Sequence, residues 1–249
     1  MQLKLFFIRK IKLLFTRWNF HVIVNPFTGF FLNLVYLSEF SEWRAKHNKL
    51  PFNDFYSHRW NYSKRYSLYE HVLKTEKLDD GTINYLEFGV SQGHSFRWWV
   101  EHNKNTNSTF HGFDTFTGLP EKWNIFKEGA MSTEGKTPDV NDTRVTFVKG
   151  LFQDTLPGFL KEFGGYNKFK LSADNRKVIH LDADLYTSTL YVLTSLAPFL
   201  KTGDILLFDE FAVPRHEFLA LKNFTSSFRI NYEVIGAANN YYFLAIKIK

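Results

Sequence analysis

The chain has 249 residues, of which 44% are hydrophobic and 22% charged, with 14 glycines and 7 prolines. This length and composition indicate one domain, or one domain with an appendage. They exclude a disordered, collagen-like or low-complexity protein. The absence of cysteine excludes a disulfide scaffold, a thiolate zinc site and a cysteine nucleophile.

The formal charge of +6 is concentrated at the N-terminus. Five basic residues precede the first acidic residue, Glu39, so the rest of the chain has a net charge of only +1. The five are Lys4, Arg9, Lys10, Lys12 and Arg17. The basic excess therefore does not indicate a nucleic-acid-binding face on the body of the protein, and no nucleic-acid partner is expected.

Residues 2–18 are predicted to form a basic amphipathic helix. At about 100° per residue, seven apolar side chains share an arc of roughly 140°, and most of the basic side chains lie outside it. The favoured interpretation is a helix that docks on its own domain or on a second subunit of a homo-oligomer. The alternative is a helix that lies on an anionic membrane surface, which would make a cytoplasmic protein peripheral to the membrane.

Residues 18–38 contain no Lys, Arg, Asp or Glu and are numerous enough to cross a membrane as a helix. Several polar residues interrupt the run, and the pair Asn25-Pro26 with Gly29 is typical of a turn. A pair of short helices is therefore predicted here instead of a membrane span.

After residue 80, short apolar strands alternate with helical stretches, which predicts a doubly wound, mostly parallel α/β sheet of seven strands. The last two strands have no helix between them and should form an antiparallel hairpin. We divide the chain into an N-terminal helical extension, residues 1–80, and a sheet domain, residues 81–249. Predicted strands cover residues 84–88, 109–113, 145–149, 178–181, 204–208, 232–235 and 241–248, with helices near 93–103, 155–163, 188–200 and 215–228.

Ligands of such sheets bind beyond the carboxyl ends of the strands. The first strand leads into a glycine-bearing turn that contains Glu87, Gly89 and Gly93, where the backbone can approach a ligand closely. The second strand is followed by Asp114, whose carboxylate could accept hydrogen bonds from two ribose hydroxyls or, alternatively, cap a helix or a turn.

Residues after the third strand add a possible base-binding element. Phe152 could flank a flat base, and the side chain of Gln153 offers both a donor and an acceptor to it.

Four acidic residues follow the fourth and fifth strands: Asp182, Asp184, Asp209 and Glu210. Carboxylates gathered at one edge repel each other unless a cation lies among them, and their oxygens suit Mg²⁺. The alternative is that the acids cap the helices that follow, with Asp184 and Glu210 solvated. The metal is the favoured interpretation.

Taken together, these motifs resemble those of class I S-adenosylmethionine-dependent methyltransferases, closest to the macrocin/mycinamicin-type sugar O-methyltransferases. The similar segments are residues 87–93, 113–121, 150–157, 181–189 and 209–210, in the family's order. Catechol O-methyltransferase is a more distant relative, similar over residues 145–154. The resemblance implies a Rossmann-like methyltransferase fold with S-adenosylmethionine as co-substrate.

The resemblance also implies roles for the residues above. Glu87 and Gly89 would line the methionine end of the cofactor in the glycine turn that ends at Gly93, and Asp114 would hold the ribose. Adenine would lie between Phe152 and Gln153, and Mg²⁺ would be held by Asp182, Asp209 and Glu210. The chain departs from the family at Glu210, where Asp or Asn is usual, and at Leu185, which replaces the lysine of catechol-type enzymes.

The predicted function is Mg²⁺-aided O-methylation of a small-molecule hydroxyl, on a sugar or a glycosylated metabolite. Asp182 or Asp184 would accept the hydroxyl proton, and the loop of residues 115–140 would form a lid. Two alternatives stay open. One is a non-catalytic binding protein of this fold at a membrane surface, and the other is a metal-independent methyltransferase of a lipid-linked glycan.

Overall fold

The computed structural model describes residues 2–123, 125–162 and 175–249. Strands in this part form one seven-stranded sheet, in which the last strand in the chain runs opposite to the other six. The strands are β1 (Ile83–Phe88), β2 (Thr109–Asp114), β3 (Val145–Lys149), β4 (Arg176–Leu181), β5 (Ile205–Phe208), β6 (Tyr232–Ala238) and β7 (Phe243–Ile248). Their order is β3-β2-β1-β4-β5-β7-β6, which confirms the predicted mostly parallel sheet.

Helices cover both faces of the sheet, as a doubly wound fold requires. The helices are α1 (Gln2–Arg17), α2 (His21–Lys46), α3 (Lys64–Thr75), α4 (His94–His102), α5 (Phe152–Lys161), α6 (Tyr186–Leu196) and α7 (Glu217–Phe228). Side chains of α3 and α4 share one hydrophobic core with the sheet, and those of α5, α6 and α7 share the other. Helix α5 begins three residues before its predicted start, and its predicted last residue, 163, lies outside the described residues.

The β6–β7 hairpin turns later than predicted. Strand β6 continues through Ala238, after an irregularity between Val234 and Gly236, and residues 236–238 pair with β7. A glycine fits at position 236 of the strand because α3 packs closely there: a Cβ atom would come 2.7 Å from Cδ1 of Leu68. The predicted end of this strand at residue 235 is therefore three residues too early.

The prediction of two short helices in residues 18–38 is also wrong, because α2 is a single helix of 26 residues. Pro26 lies inside it, as its sixth residue. There the proline ring removes only the hydrogen bond that would reach the carbonyl of Val22. By length and composition alone, α2 could cross a membrane, and none of its apolar window is buried.

Helix α3 belongs to the packed body of the protein even though it precedes residue 81. Leu68, Tyr69 and Val72 are buried in one cluster with Tyr85 and Trp99. The domain boundary at residue 80 stays a prediction. The packing shows that residues 64–75 share their hydrophobic core with the sheet.

Candidate active site

A cavity of about 500 Å³ lies at the carboxyl ends of the parallel strands. Most of the residues predicted from the strand ends meet there, although they come from five separate segments of the chain. Those that line the cavity are Gly89, Asp114, Phe152, Gln153, Asp182, Asp184, Asp209 and Glu210. The tertiary structure therefore brings together eight of the ten predicted site residues in one space.

Gly89 lies where strand β1 passes closest to the segment after β4. Its φ angle is +93°, and a Cβ atom on it would come 1.8 Å from the carbonyl oxygen of Asp182. Only glycine avoids this clash and adopts the left-handed conformation without strain. The glycine thus sets the distance between the cofactor turn and the acidic residues.

The carboxylate of Asp114 organises the glycine turn. Its Oδ2 accepts hydrogen bonds from the backbone N–H groups of Val90 and Ser91, at 2.8 and 2.7 Å, and its Oδ1 accepts from that of Phe116 at 2.7 Å. A carboxylate has about four acceptor positions. Three are used, so Asp114 has room for about one further bond and not the two predicted for a ribose.

Two predicted cofactor residues do not line the cavity. Glu87 is buried beneath it, where its carboxylate accepts a hydrogen bond from Tyr85 and lies 3.3 Å from Nδ1 of His180. Gly93 is the residue before α4 and has a φ angle of +73°. Glu87 thus lies below the cavity, and Gly93 ends the turn at the start of α4.

Asp182 and Asp209 come together in a cluster with His180. One ligand atom from each of these three residues lies within 4.8 Å of the other two. Glu210 is not in this cluster; its Oε1 accepts a hydrogen bond of 2.9 Å from Tyr242. The structure thus brings two of the three predicted metal ligands together and turns the third towards Tyr242, between β6 and β7.

Two cations that the sequence analysis missed lie beside the carboxylates of Asp182 and Asp209. The Nη2 of Arg65, on α3, lies 2.9 Å from Oδ2 of Asp209, and its Nη1 lies 4.0 Å from Oδ2 of Asp182. Nε2 of His180 lies 3.7 Å from Oδ1 of Asp209. Burial alone would lower the pKa of His180, but Asp209 and Glu87 more than offset this and raise it to about 10, so the imidazole is protonated at neutral pH.

Residues that follow the predicted strands do not include either of these cations. Arg65 lies near the start of α3, far along the chain from the strand ends. His180 precedes Asp182 by two residues within a buried strand, where a histidine is usually read as part of the core. Its position two residues before the acid, on the same face of the strand, was the one available signal.

The acidic residues have raised pKa values because they are buried and close together. Burial raises the pKa of Asp182 and of Asp184, and the charge of Asp209 adds to both shifts. Burial and the neighbouring Asp184 raise the pKa of Glu210 to about 12. Glu217, which the sequence analysis did not identify, is also buried beside them and has a raised pKa. Burial and mutual repulsion thus favour the protonated, neutral form of these carboxyls.

Asp184 occupies a special backbone position beside the cavity. Its φ angle is +56°, a left-handed conformation that is uncommon outside glycine and that clusters at functional sites. This geometry directs the segment after β4 along the cavity wall.

The loop predicted as a lid covers one side of the cavity. Gly118, Leu119, Glu121 and Met131 line the space. Leu119 packs with Trp123 and Leu185, and Thr187 donates a hydrogen bond of 3.2 Å to Glu121. The loop is thus joined to the segment after β4 by both apolar and polar contacts.

Two features define the class I methyltransferase fold. One is a parallel sheet with an antiparallel seventh strand inserted between the fifth and sixth, and the other is a glycine turn that opens into a cavity at the edge of the sheet. A family model described as a methyltransferase domain matches residues 86–211, just over half of the chain. The chain belongs to this methyltransferase family.

Solved structures agree with this fold. The calicheamicin methyltransferase CalS11 superposes with a TM-score of 0.53 at 20% identity, over 75% of this chain and 77% of that one. The O-methyltransferase NovP gives a TM-score of 0.51 at 21% identity, over 75% of this chain and 78% of its own. These likenesses concern the fold alone.

A curated protein of Streptomyces olivaceus is similar in sequence over a shorter stretch. It is named 8-demethyl-8-(2,3-dimethoxy-alpha-L-rhamnosyl)-tetracenomycin-C 4'-O-methyltransferase. The two are 36% identical over 72 residues, which are 29% of this chain and 23% of that protein. The chain therefore matches less than a quarter of that relative's length.

Proposed function

We propose that the protein is an S-adenosylmethionine-dependent O-methyltransferase that acts on a hydroxyl of a sugar or a glycosylated metabolite. One observation carries this proposal: the glycine turn and Asp114 open into the same cavity as the acids Asp182, Asp184 and Asp209. Membership of a methyltransferase family supports the reaction. The rhamnosyl 4'-O-methyltransferase of S. olivaceus supports the sugar acceptor.

The cofactor would lie along the turn side of the cavity. Gly89 permits close approach of its methionine end, and Asp114 has one acceptor position left for a ribose hydroxyl. Phe152 and Gln153, on the first turn of α5, line the cavity where the adenine would bind. The protein would be cytoplasmic, and its partner in the reaction would be a small molecule.

The acceptor would lie between the cofactor and the acids. Its hydroxyl oxygen forms a bond to the methyl carbon as the carbon–sulfur bond breaks, and the electron pair leaves on sulfur as a neutral thioether. The hydroxyl proton passes to a carboxylate. Asp184 suits this role, since it lines the cavity and burial brings its raised pKa closer to neutrality; Asp182 is the second candidate.

A divalent ion fits the chemistry of this cluster. Oδ1 of Asp209 and Oε2 of Glu210 are buried and have no hydrogen-bond partner within residues 2–123, 125–162 and 175–249. Carboxylate oxygens are ligands that Mg²⁺ prefers. Asp182 and Asp209 would hold the ion, Glu210 would become a third ligand only by turning away from Tyr242, and the bound ion would lower the pKa of an acceptor hydroxyl.

One observation favours a metal-independent enzyme as the second candidate. Arg65 already pairs with Asp209 and approaches Asp182. A guanidinium is permanently charged, so Arg65 could neutralise these carboxylates without an ion. The acceptor hydroxyl would then depend on Asp184 alone for proton removal.

Turnover assays separate these possibilities. Purified protein is incubated with labelled S-adenosylmethionine and a panel of deoxysugar, nucleotide-sugar and catechol acceptors, with Mg²⁺ or after exhaustive chelation. Transfer that needs Mg²⁺ supports the first proposal, and transfer that survives chelation supports the second. Cofactor binding by calorimetry without transfer to any acceptor would favour a non-catalytic binding protein.

The variant Asp182→Asn sharpens the metal test. It keeps the shape of the side chain but removes one charge, so Mg²⁺ binding and methyl transfer should fall while cofactor affinity stays nearly unchanged. Asp154→Asn is the matched control, because Asp154 lies outside the cavity on α5.

A further inference from the structure

The N-terminal arm, residues 2–37, exposes large apolar side chains along its whole length. No residue of α1 or α2 is buried. Examples are Leu3, Ile11, Trp18, Val22 and Phe30, each with more than 60% of its surface exposed. An exposed apolar surface of this extent marks an interaction site.

The charge of the arm indicates what it binds. All five of its charged side chains are basic, and four of them lie outside the apolar arc of α1. Lys4, the exception, can extend its long side chain to reach the surface of a bilayer. A second copy of the chain would bring another five positive charges against these, whereas anionic lipid headgroups complement them.

The arm leaves the domain at the edge that holds the cavity. Trp43 donates a hydrogen bond to Tyr232 at the start of β6, whereas Asn33 contacts Arg215 just before α7, at 3.4 Å. The contact of Asn33 thus lies at the carboxyl edge of the sheet. Residues 21–32, which precede it in α2, extend over roughly 18 Å, at 1.5 Å per residue.

The packing of α2 argues against a helix that crosses the membrane. Its last turns are fixed to the domain by the ion pair of Glu39 with Lys222, at 2.6 Å, and by the ring of Phe40 against Phe218. A span through residues 18–38 would place α1 on the opposite side of the bilayer from the domain. Basic segments stay on the cytoplasmic side, which is the proposed side of the domain as well.

We propose that the N-terminal arm binds the surface of an anionic phospholipid bilayer. Its apolar side chains insert at the boundary of headgroups and acyl chains, and its basic side chains contact the phosphates. The bilayer then lies on the side of the protein where the cavity is found. This inference rests on the arm and is independent of the proposed methyl transfer.

Flotation of the full-length protein with lipid vesicles tests the proposal. Binding is expected to vesicles of phosphatidylcholine with one quarter phosphatidylglycerol, and to be much weaker with phosphatidylcholine alone. The double variant Lys10→Gln/Lys12→Gln should lower the partition coefficient on the order of 25-fold, from the effect of each basic residue near an anionic surface. Lys74→Gln/Lys104→Gln removes the same charge from the exposed surface of the domain and should bind like the wild type.

A second variant, Phe7→Ser/Ile11→Ser, removes apolar area from α1 without touching the domain. It should lose flotation while its thermal unfolding is unchanged, because both side chains are more than half exposed and the ring contact of Phe7, with Phe6, lies within α1 itself. Failure of the wild type to float with anionic vesicles would overturn the proposal. So would a dimer in lipid-free sedimentation that this variant dissociates, since the arm would then bind a second copy.

Discussion

The guanidinium of Arg65 and the carboxylate of Asp209 form an ion pair of 2.9 Å in the wall of the cavity. Helix α3 thereby delivers a permanent positive charge to the carboxylates that would hold a divalent ion. The side chain of Arg65 is 17% exposed and that of Asp209 only 4%. Stability without metal and affinity for metal should therefore depend on the same residue.

Arg65→Gln is expected to destabilise the metal-free protein by about 3 kcal/mol, because it leaves Asp209 buried without its partner. Mg²⁺ should raise the melting temperature of this variant more than that of the wild type, since the competing cation is gone. Thermal unfolding with Mg²⁺ and with chelator measures both effects. Arg97→Gln, outside the cavity, is the control; equal Mg²⁺ shifts in Arg65→Gln and the wild type would contradict the shared role.

Gly89→Ala should lower both stability and cofactor affinity. The added methyl group would meet the carbonyl oxygen of Asp182 at 1.8 Å in a left-handed backbone conformation, so β1 and β4 would have to separate. Gly158→Ala is the control, since Gly158 lies in α5 with nothing within 4 Å of its Cβ position. It should stabilise the protein by about 0.5–1 kcal/mol. Chemical denaturation and calorimetry with S-adenosylhomocysteine measure the stability and the cofactor affinity of both variants. A Gly89→Ala protein as stable as the wild type would show that β1 and β4 can separate at little cost.

Asp114→Asn is expected to weaken S-adenosylhomocysteine binding at least tenfold and to destabilise the fold by about 2 kcal/mol. An amide has one acceptor oxygen where the carboxylate has two, so at least one of the three backbone N–H groups loses its acceptor and the others lose a charged one. Titration calorimetry and denaturation of the same sample separate the two effects. Loss of stability with unchanged affinity would mean that Asp114 only organises the turn.

His111 should lower stability in mild acid, opposite in sign to the buried carboxyls whose pKa values are raised. Burial lowers the pKa of this imidazole to about 3, so below pH 6.5 the unfolded chain binds a proton that the folded chain does not. Its contribution is thus present above pH 6.5 and is lost as pH falls towards 3, by about 1.4 kcal/mol per pH unit. His111→Leu removes this term, so the loss of unfolding free energy between pH 7 and 5 should be smaller by about 2 kcal/mol; equal losses would contradict the assignment.

The local pattern of the chain was sufficient for the alternating strands and helices and for the acids at the strand ends. Parallel strands buried on both faces are short apolar runs, and their carboxyl ends share one edge. Asp182 and Asp209 could therefore be placed together from the sequence alone. The helix through Pro26 and the turn near Gly236 could not. The proline lies near the start of α2 and removes a single hydrogen bond, and the turn depends on how α3 packs on β6.

What the sequence by itself determined is the class of fold, the edge of the sheet that bears the cavity and eight of the residues that line it. Tertiary structure alone decided the charge balance there. Arg65 reaches Asp209 from a helix over a hundred residues earlier in the chain, and His180 is held between Glu87 and Asp209. Glu210 turns towards Tyr242 on β6–β7. Side-chain direction and ion pairing of this kind follow from the packing of distant segments, which no local spacing of residues records.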